Sequence, residues 1–302
     1  MKFQKLSLLS LALMMLSLSS CSSDDSSKSD EKTDPVVVAP VEEKLVSIKY
    51  PRSEKMAYSV DDEQFKYDDQ KRVNFIGYYL SVSYVNDELI ETKTTGDDIT
   101  NADLEEKTSI KLKNKNITSI IANRTYKKLT GETSSVYRDS SVFSYENEYL
   151  SKIVTYAKRS VDGDGIYRLK RQLDFKVTAG NITQVKTTDT DKVVITNYTY
   201  DNTPNVLMGD FAYDTPVSLV RGYYILTHDK LGKRSANNII AMENVYTEAP
   251  LQISYEKLTY KRVLDKSGRI SEIWLSGNSI TSNQAYYPLT NFTDQKVVFQ
   301  YK

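Results

Sequence analysis

The sequence predicts an all-β protein, an antiparallel meander of repeated hairpins that forms one large twisted sheet and can roll into a barrel-like shape. Three observations predict it. Tyr dominates the aromatics, with 23 against 8 Phe and 1 Trp, and Tyr favours strands, where its ring packs while its hydroxyl stays wet. Stretches such as Ser109-Ile110-Lys111-Leu112-Lys113 and Leu173-Asp174-Phe175-Lys176-Val177 alternate with period two, the pattern of a strand with one dry and one wet face. A hairpin-sized pattern also recurs along the chain, the signature of a repeat architecture.

The chain begins with a segment outside that meander. Residues 1–20 read as an export signal, with Lys2 and Lys5 before an apolar stretch from Leu6 to Leu18 and small residues ahead of Cys21. The stretch is too short to span a bilayer. Leu18-Ser19-Ser20-Cys21 resembles the lipobox of bacterial lipoproteins, which implies a lipidated Cys21 at the mature N-terminus. It is the sole cysteine, so no disulfide framework exists. Two or more acyl chains anchor stably, which makes the membrane the first expected partner.

Residues 21–44 follow as a tether. Five Ser, five acidic residues, two Lys and Thr33 make up 22–34, none of them apolar, so that stretch lacks the means to form a core; Pro35, Pro40 and Pro51 stiffen the approach to the domain. The run Ser22-Ser23-Asp24-Asp25-Ser26-Ser27 resembles the leader of Bacteroidota lipoproteins carried to the outer membrane and often turned outward, which implies a cell-surface location.

Residues 45–302 form the predicted β-meander domain, long enough for a substantial core. Its repeat is an apolar or Tyr residue, a polar turn, an aliphatic residue, a small polar residue, any residue and a second aliphatic. The copies are Leu112/Ile117/Thr118/Ile120, Tyr145/Leu150/Ser151/Ile153, Val177/Ile182/Thr183/Val185, Tyr67/Val73/Asn74/Ile76 and Val263/Ile270/Ser271/Ile273. The turns between are rich in Asn, Asp, Gly, Glu and Lys, as hairpin loops require. Two stretches break the pattern. Residues 201–216 are turn-rich and read as a long loop, and residues 235–246 lack period-two order and read as a short helix or, in the favoured reading, an irregular segment that plugs an open end of the sheet.

Tyr198-Thr199-Tyr200-Asp201-Asn202-Thr203-Pro204-Asn205 and, later, Ser235-Ala236-Asn237-Asn238-Ile239 resemble Bacteroidota lipoproteins with an uncharacterised domain described as porin-like. Val206 stands where the resemblance places a proline. Leu264-Asp265-Lys266-Ser267-Gly268-Arg269-Ile270 is similar to the Tyr-Asp repeats of Rhs-type proteins. These resemblances imply an all-β fold at the cell surface and no particular activity.

The chemistry the sequence offers is sparse. Charges balance at 40 basic and 40 acidic residues, with neither the basic footprint of a nucleic-acid binder nor a polybasic lipid-binding cluster. His228 is the single histidine, so a site with two His ligands cannot form within one chain. It reads as a strand end entering a turn, and no Gly-x-Ser-x-Gly nucleophile elbow accompanies it. Asp162-Gly163-Asp164-Gly165 lacks the further oxygens of a calcium loop and reads as a hairpin turn. No metal or cofactor is implied.

Trp274, Tyr223, Tyr224, Tyr286 and Tyr287, together with the pair Tyr78-Tyr79, are the candidates for stacking on sugar rings. The expectation is a binding or structural role without enzymatic activity, towards a glycan or a surface protein. Two rivals stand beside it. A glycan hydrolase needs only two well-placed carboxylates. A transmembrane β-barrel needs strands with one wholly apolar face, a pattern that Lys111, Lys113 and Asn197 interrupt.

Overall fold

The spacing of the hairpin repeat is explained by a bulge. In each copy the small polar residue is the extra residue of a register shift: Lys111 pairs with Ser119 while Leu112 pairs with Ile117, which leaves Thr118 over. Ser151, Thr183, Asn74 and Ser271 are left over in the same way. A bulge of this kind turns two aliphatics three residues apart onto one face, where strict period two would oppose them. Leu150 and Ile153, and likewise Ile270 and Ile273, are buried to 1% or less. Thr118, Thr183 and Ser271 each use the hydroxyl to bond a carbonyl of the preceding strand, those of Lys111, Lys176 and Val263.

The computed structural model describes residues 44–50, 62–77, 80–97, 103–127, 133–159, 165–189, 192–206, 224–246, 254–280 and 290–302. Its strands are β1 (Leu45–Lys49), β2 (Glu63–Tyr67), β3 (Val73–Ile76), β4 (Leu80–Asn86), β5 (Leu89–Asp97), β6 (Asp103–Lys113), β7 (Asn116–Lys127) and β8 (Thr133–Glu146). They continue with β9 (Tyr149–Arg159), β10 (Arg168–Thr178), β11 (Asn181–Asp189), β12 (Lys192–Pro204), β13 (Asn237–Tyr246), β14 (Ser254–Leu264), β15 (Ile270–Ile280) and β16 (Thr290–Tyr301). A short helix α1 (Tyr224–Thr227) precedes β13. Every strand pairs antiparallel with its sequence neighbours, and β1 pairs with β16, so the meander closes into a barrel. Closure removes the unpaired edges that an open sheet exposes.

At one end of the barrel the turns are tight. Asn114-Lys115, Asn147-Glu148 and Ala179-Gly180 make two-residue loops with both φ angles positive, the mirror-image turn that matches strand twist. The longer turns at Asp68–Arg72 and Asp265–Arg269 are closed by their aspartates. Asp68 accepts from the backbone N–H and the Nε of Arg72, at 2.8 and 2.9 Å, and Asp265 accepts likewise from Arg269 at 3.0 and 2.8 Å. Each arginine then lies over a tyrosine ring, Arg72 on Tyr84 and Arg269 on Tyr301, with 4.3 and 4.2 Å to the centroids.

A segment between β12 and β13 seals this end. Lys230 O accepts from Ile117 N, Glu148 O from Lys233 N, and Gly180 O from Ala236 N, so residues 230–236 run across three successive hairpins. Leu226 and Thr227 of α1 are buried below them. This corrects three sequence expectations. Residues 237–246 are strand β13, because Asn237 to Tyr246 pair in register with β12, and the plugging falls to residues 224–236 instead. Residues 201–204 belong to β12, so the expected loop begins later, and 207–223 lie outside the described residues. His228 follows a helix rather than a strand, and its Nδ1 sits 3.1 Å from the carbonyl of Ile225.

The two strings that carry the family resemblance meet here. Asn205 N donates to Ala236 O, Asn205 Nδ2 to Ser235 O, and Asn238 Nδ2 to Thr203 Oγ1 and Pro204 O. Val206 N donates to Asn238 Oδ1 at 3.1 Å, a bond that a proline in its place could not make.

Candidate functional site

Cross-strand partners share a face, so the register sorts the barrel wall into inward and outward rows. The inward rows change character along the axis. Nearest the tight turns they are apolar: Ile110, Ile117, Leu150, Ile153, Leu173, Val185, Leu258, Ile273 and Val297 are at most 1% exposed. A round barrel of this strand number encloses water, which would leave such side chains wet, so at this level the lumen is filled. Next comes a layer of hydroxyls and amides, with Thr108, Ser141, Thr155, Thr196 and Asn244 buried. Ser141 and Thr155 share a hydrogen bond of 2.8 Å, and Thr196 donates to Asn244 at 2.6 Å.

Beyond that layer the inward rows of β6–β11 are charged. Arg124 donates from Nε to Glu106 at 2.5 Å and from Nη1 to Asp139 at 2.9 Å. Asp139 also accepts from Lys170 at 2.8 Å, and Arg171 forms a two-pronged pair with Asp189 at 2.7 and 2.9 Å. Burial acts to lower the pKa of Arg124, but Glu106 and Asp139 outweigh it and hold the guanidinium above its ordinary value. Arg159 lies over the Tyr137 ring at 5.7 Å, and Tyr137 packs edge-on against Tyr126.

These groups border a small cavity of about 90 Å³ lined by Ile120, Ala122, Arg124, Asp139, Ser141, Thr155, Lys170 and Arg171. The Lys170 and Arg171 side chains are 43% and 42% exposed, so the cavity communicates with solvent. Lys170 reaches it because a register shift between Leu169 and Arg171 inserts the extra residue there. The arrangement offers cations, hydroxyls, one carboxylate and a small apolar wall, which suits binding. Among the described residues no group of three or more His, Cys, Asp or Glu could hold a metal ion.

None of the residues singled out from sequence lines this cavity among those described. Trp274 lies on the outward face of β15, its Nε1 donating to Glu272 at 2.8 Å and its ring 5.3 Å from the Lys296 ammonium. Tyr224 opens α1, while Cys21, Tyr78, Tyr79, Asp162, Gly163, Asp164, Tyr223, Tyr286 and Tyr287 lie outside the described residues. The cavity residues escaped sequence reading because β8 (Thr133–Glu146) and the charged half of β6 carry polar residues on both faces.

No family model and no curated protein matches the chain. Solved structures do resemble it. A porin-like protein from Bacteroides vulgatus aligns with a TM-score of 0.53 at 14% identity, over 85% of this chain and 98% of that one. A porin-like protein from Bacteroides uniformis aligns at 0.48 and 15% identity, over 85% and 96%. At such identities the first likeness is one of fold.

Proposed function

We propose that the chain is a water-facing, lipid-anchored β-barrel with a binding role at the outer membrane, held on the cell surface through Cys21 rather than by strands that cross the bilayer. The polarity of the two faces carries the reading. A membrane-crossing barrel turns an apolar band about 25 Å tall towards lipid. Here the outward rows hold Lys93, Glu105, Lys107, Lys111, Arg138, Lys152, Lys158, Asp174, Lys186, Lys257 and Lys296, and the apolar core faces inward. Each lysine or arginine at the bilayer midplane would cost about 2–4 kcal/mol. Among the described residues, exposed apolar side chains such as Val136, Val142, Tyr156, Leu169 and Val245 stand among these charges and form no continuous belt.

The export signal, Cys21 and the polar tether supply an anchor that needs no inserted strand. Porin-like, as the fold neighbours are described, therefore comes to this chain as a description of barrel architecture. A binding role is favoured over hydrolysis because Glu106 and Asp139 are both engaged by Arg124 instead of flanking an open space that a glycosidic bond could occupy.

The test is fractionation of cells expressing the Cys21→Ala chain. The variant is expected to leave the membrane pellet for the soluble fraction with its β-sheet circular dichroism intact. Retention in carbonate-washed membranes would mean inserted strands and overturn the proposal. Protease digestion of intact cells, which should remove the wild-type domain, checks the outward orientation.

A further inference from the structure

We infer that the outer wall of β5–β9 is a docking track for an extended acidic polysaccharide, one whose sugars carry carboxylate or sulfate groups. The inference rests on the water-facing reading above, since a wall sunk in lipid could not meet such a chain.

Charges far apart in sequence are brought into one line. Lys93 pairs across strands with Lys107, Lys107 with Asn123, Asn123 with Arg138, and Arg138 with Lys158. Cross-strand partners share a face, and this face is the outward one. With strands about 4.8 Å apart, the line runs about 20 Å across the wall. Beyond Lys158 stands the exposed ring of Tyr167, 5.9 Å from the Lys158 ammonium.

Two of these pairings set like charges directly opposite each other, Lys93 against Lys107 and Arg138 against Lys158, an arrangement that destabilises a sheet. Glu105 relieves the first: Lys93, Lys107 and Lys127 approach its carboxylate at 3.4, 3.2 and 3.5 Å. One carboxylate among three ammoniums leaves that group cationic. The Lys93 and Lys107 side chains are 55% and 64% exposed, and ion pairs so exposed are weak enough to exchange for a ligand anion. The second pair has no such relief, because among the described residues neither Arg138 nor Lys158 forms an ion pair. Five cations thus stand against Glu105 and, one row away, Glu91.

The geometry of the charge selects the partner. The row nearer the sealed end holds Ser109, Ile121, Ser140 and Tyr156, so hydroxyls and an exposed ring border the cations on that side. An anionic bilayer is a plane of charge, matched by a basic cluster spread in two dimensions. Single-stranded nucleic acid calls for a series of aromatic platforms under successive bases. A polysaccharide fits a line: acidic groups along the cations, sugar hydroxyls over Ser109, Asn123 and Ser140, and C–H faces on Tyr156 and Tyr167, whose rings join an apolar body to a polar tip. Repetition along the chain multiplies contacts that are individually weak.

The experiment is calorimetric titration of the purified full chain with heparin, polygalacturonate and neutral dextran. Saturable binding is expected for at least one of the acidic glycans and not for dextran, with affinity falling as salt is raised. Arg138→Glu and Lys158→Glu should each weaken it at least about tenfold while the urea midpoint holds or rises, since each turns a like-charge pair into an opposite-charge one. Lys261→Glu, on the outward face of β14, should bind as wild type does. Absence of saturable heat with both acidic glycans in protein of native circular dichroism would overturn the inference. So would wild-type affinity in Arg138→Glu and Lys158→Glu, or an equal loss in Lys261→Glu. Oligodeoxythymidylate binding as tightly as the glycans, or a preference for phosphatidylglycerol over phosphatidylcholine vesicles that Arg138→Glu abolishes, would overturn the class of partner. Fractionation of Cys21→Ala is read separately, so a negative titration leaves the anchored, water-facing reading standing, whereas retention in washed membranes removes that reading whatever the glycans do.

Discussion

The hydroxyl of Tyr145 donates to the backbone carbonyl of Ile117, 2.7 Å away and 28 residues earlier in the chain. Three other tyrosines make the same kind of bond around the sealed end: Tyr67 to Leu45 O at 2.6 Å, Tyr200 to Ile182 O at 2.6 Å and Tyr301 to Ile270 O at 2.9 Å. Each ties a strand end to a carbonyl that lies outside its own hairpin. Tyr145→Phe keeps the ring and removes the bond, leaving a half-buried carbonyl short of a donor. It should destabilise the fold by about 1–2 kcal/mol in urea unfolding, whereas Tyr156→Phe on the outward face should change little.

The same tyrosines predict an alkaline limit. Burial pushes the phenols of Tyr67 and Tyr301 up to about 12 from the ordinary 10.0, and raises Tyr145 as well. The folded state thus holds these protons more tightly than the unfolded chain. Their contribution is fully present below pH 10 and is lost as the pH rises from there through about 12. Unfolding free energy measured across that window should fall, with phenolate absorbance of these residues appearing only as the fold is lost. Ionisation near pH 10 with the fold intact would contradict the ladder.

Much of this architecture was readable from sequence because the repeat encodes a bulge in residue types: an aliphatic at either end of a three-residue step and a small polar residue inside it. Closure and sealing were not readable. The bonds that seal the end use main-chain atoms, such as Lys230 O, Glu148 O and Gly180 O, which any residue could supply. The inward charges were hidden for a related reason. Glu106 and Lys107 are adjacent acid and base with no apolar neighbour to tell inside from outside, and only the pairing of Glu106 with Arg124 places it in the lumen.

Removing Arg124 tests that lumen network. Arg124→Met leaves Glu106, whose side chain is 10% exposed, without its ionic partner, while Asp139 keeps Lys170. Loss of one partner from a buried pair costs about 3–5 kcal/mol, and the 26% exposure of Arg124 places this case at the lower end. The double variant Arg124→Met with Glu106→Gln should recover part of the loss. Equal stability of the single and double variants would mean that the pair is not coupled.

Gly277 should tolerate no side chain. A Cβ there would sit 2.0 Å from the main-chain oxygen of Lys257 and 3.1 Å from the Cα of Leu258, in a strand paired on both sides. Backbone atoms in a closed sheet cannot move aside as a flexible side chain would. Gly277→Ala is predicted to cost about 3 kcal/mol or to prevent accumulation of folded protein, seen as a lowered thermal midpoint.

The hairpin loops predict the opposite sign. Lys115 and Glu148 are held at φ of 66° and 69°, a region that costs a residue with a Cβ about 1–2 kcal/mol and costs glycine almost nothing. The two-residue turn demands that geometry because its twist must match the strands it joins. Replacing either residue by Gly relieves strain in the folded state but adds entropy to the unfolded one, so the net gain is smaller, about 0.5–1 kcal/mol. Lys115→Gly is the cleaner probe, since the main chain of Glu148 also accepts from Lys233. Its urea midpoint should rise; a fall would show that the turn is not under conformational strain in solution.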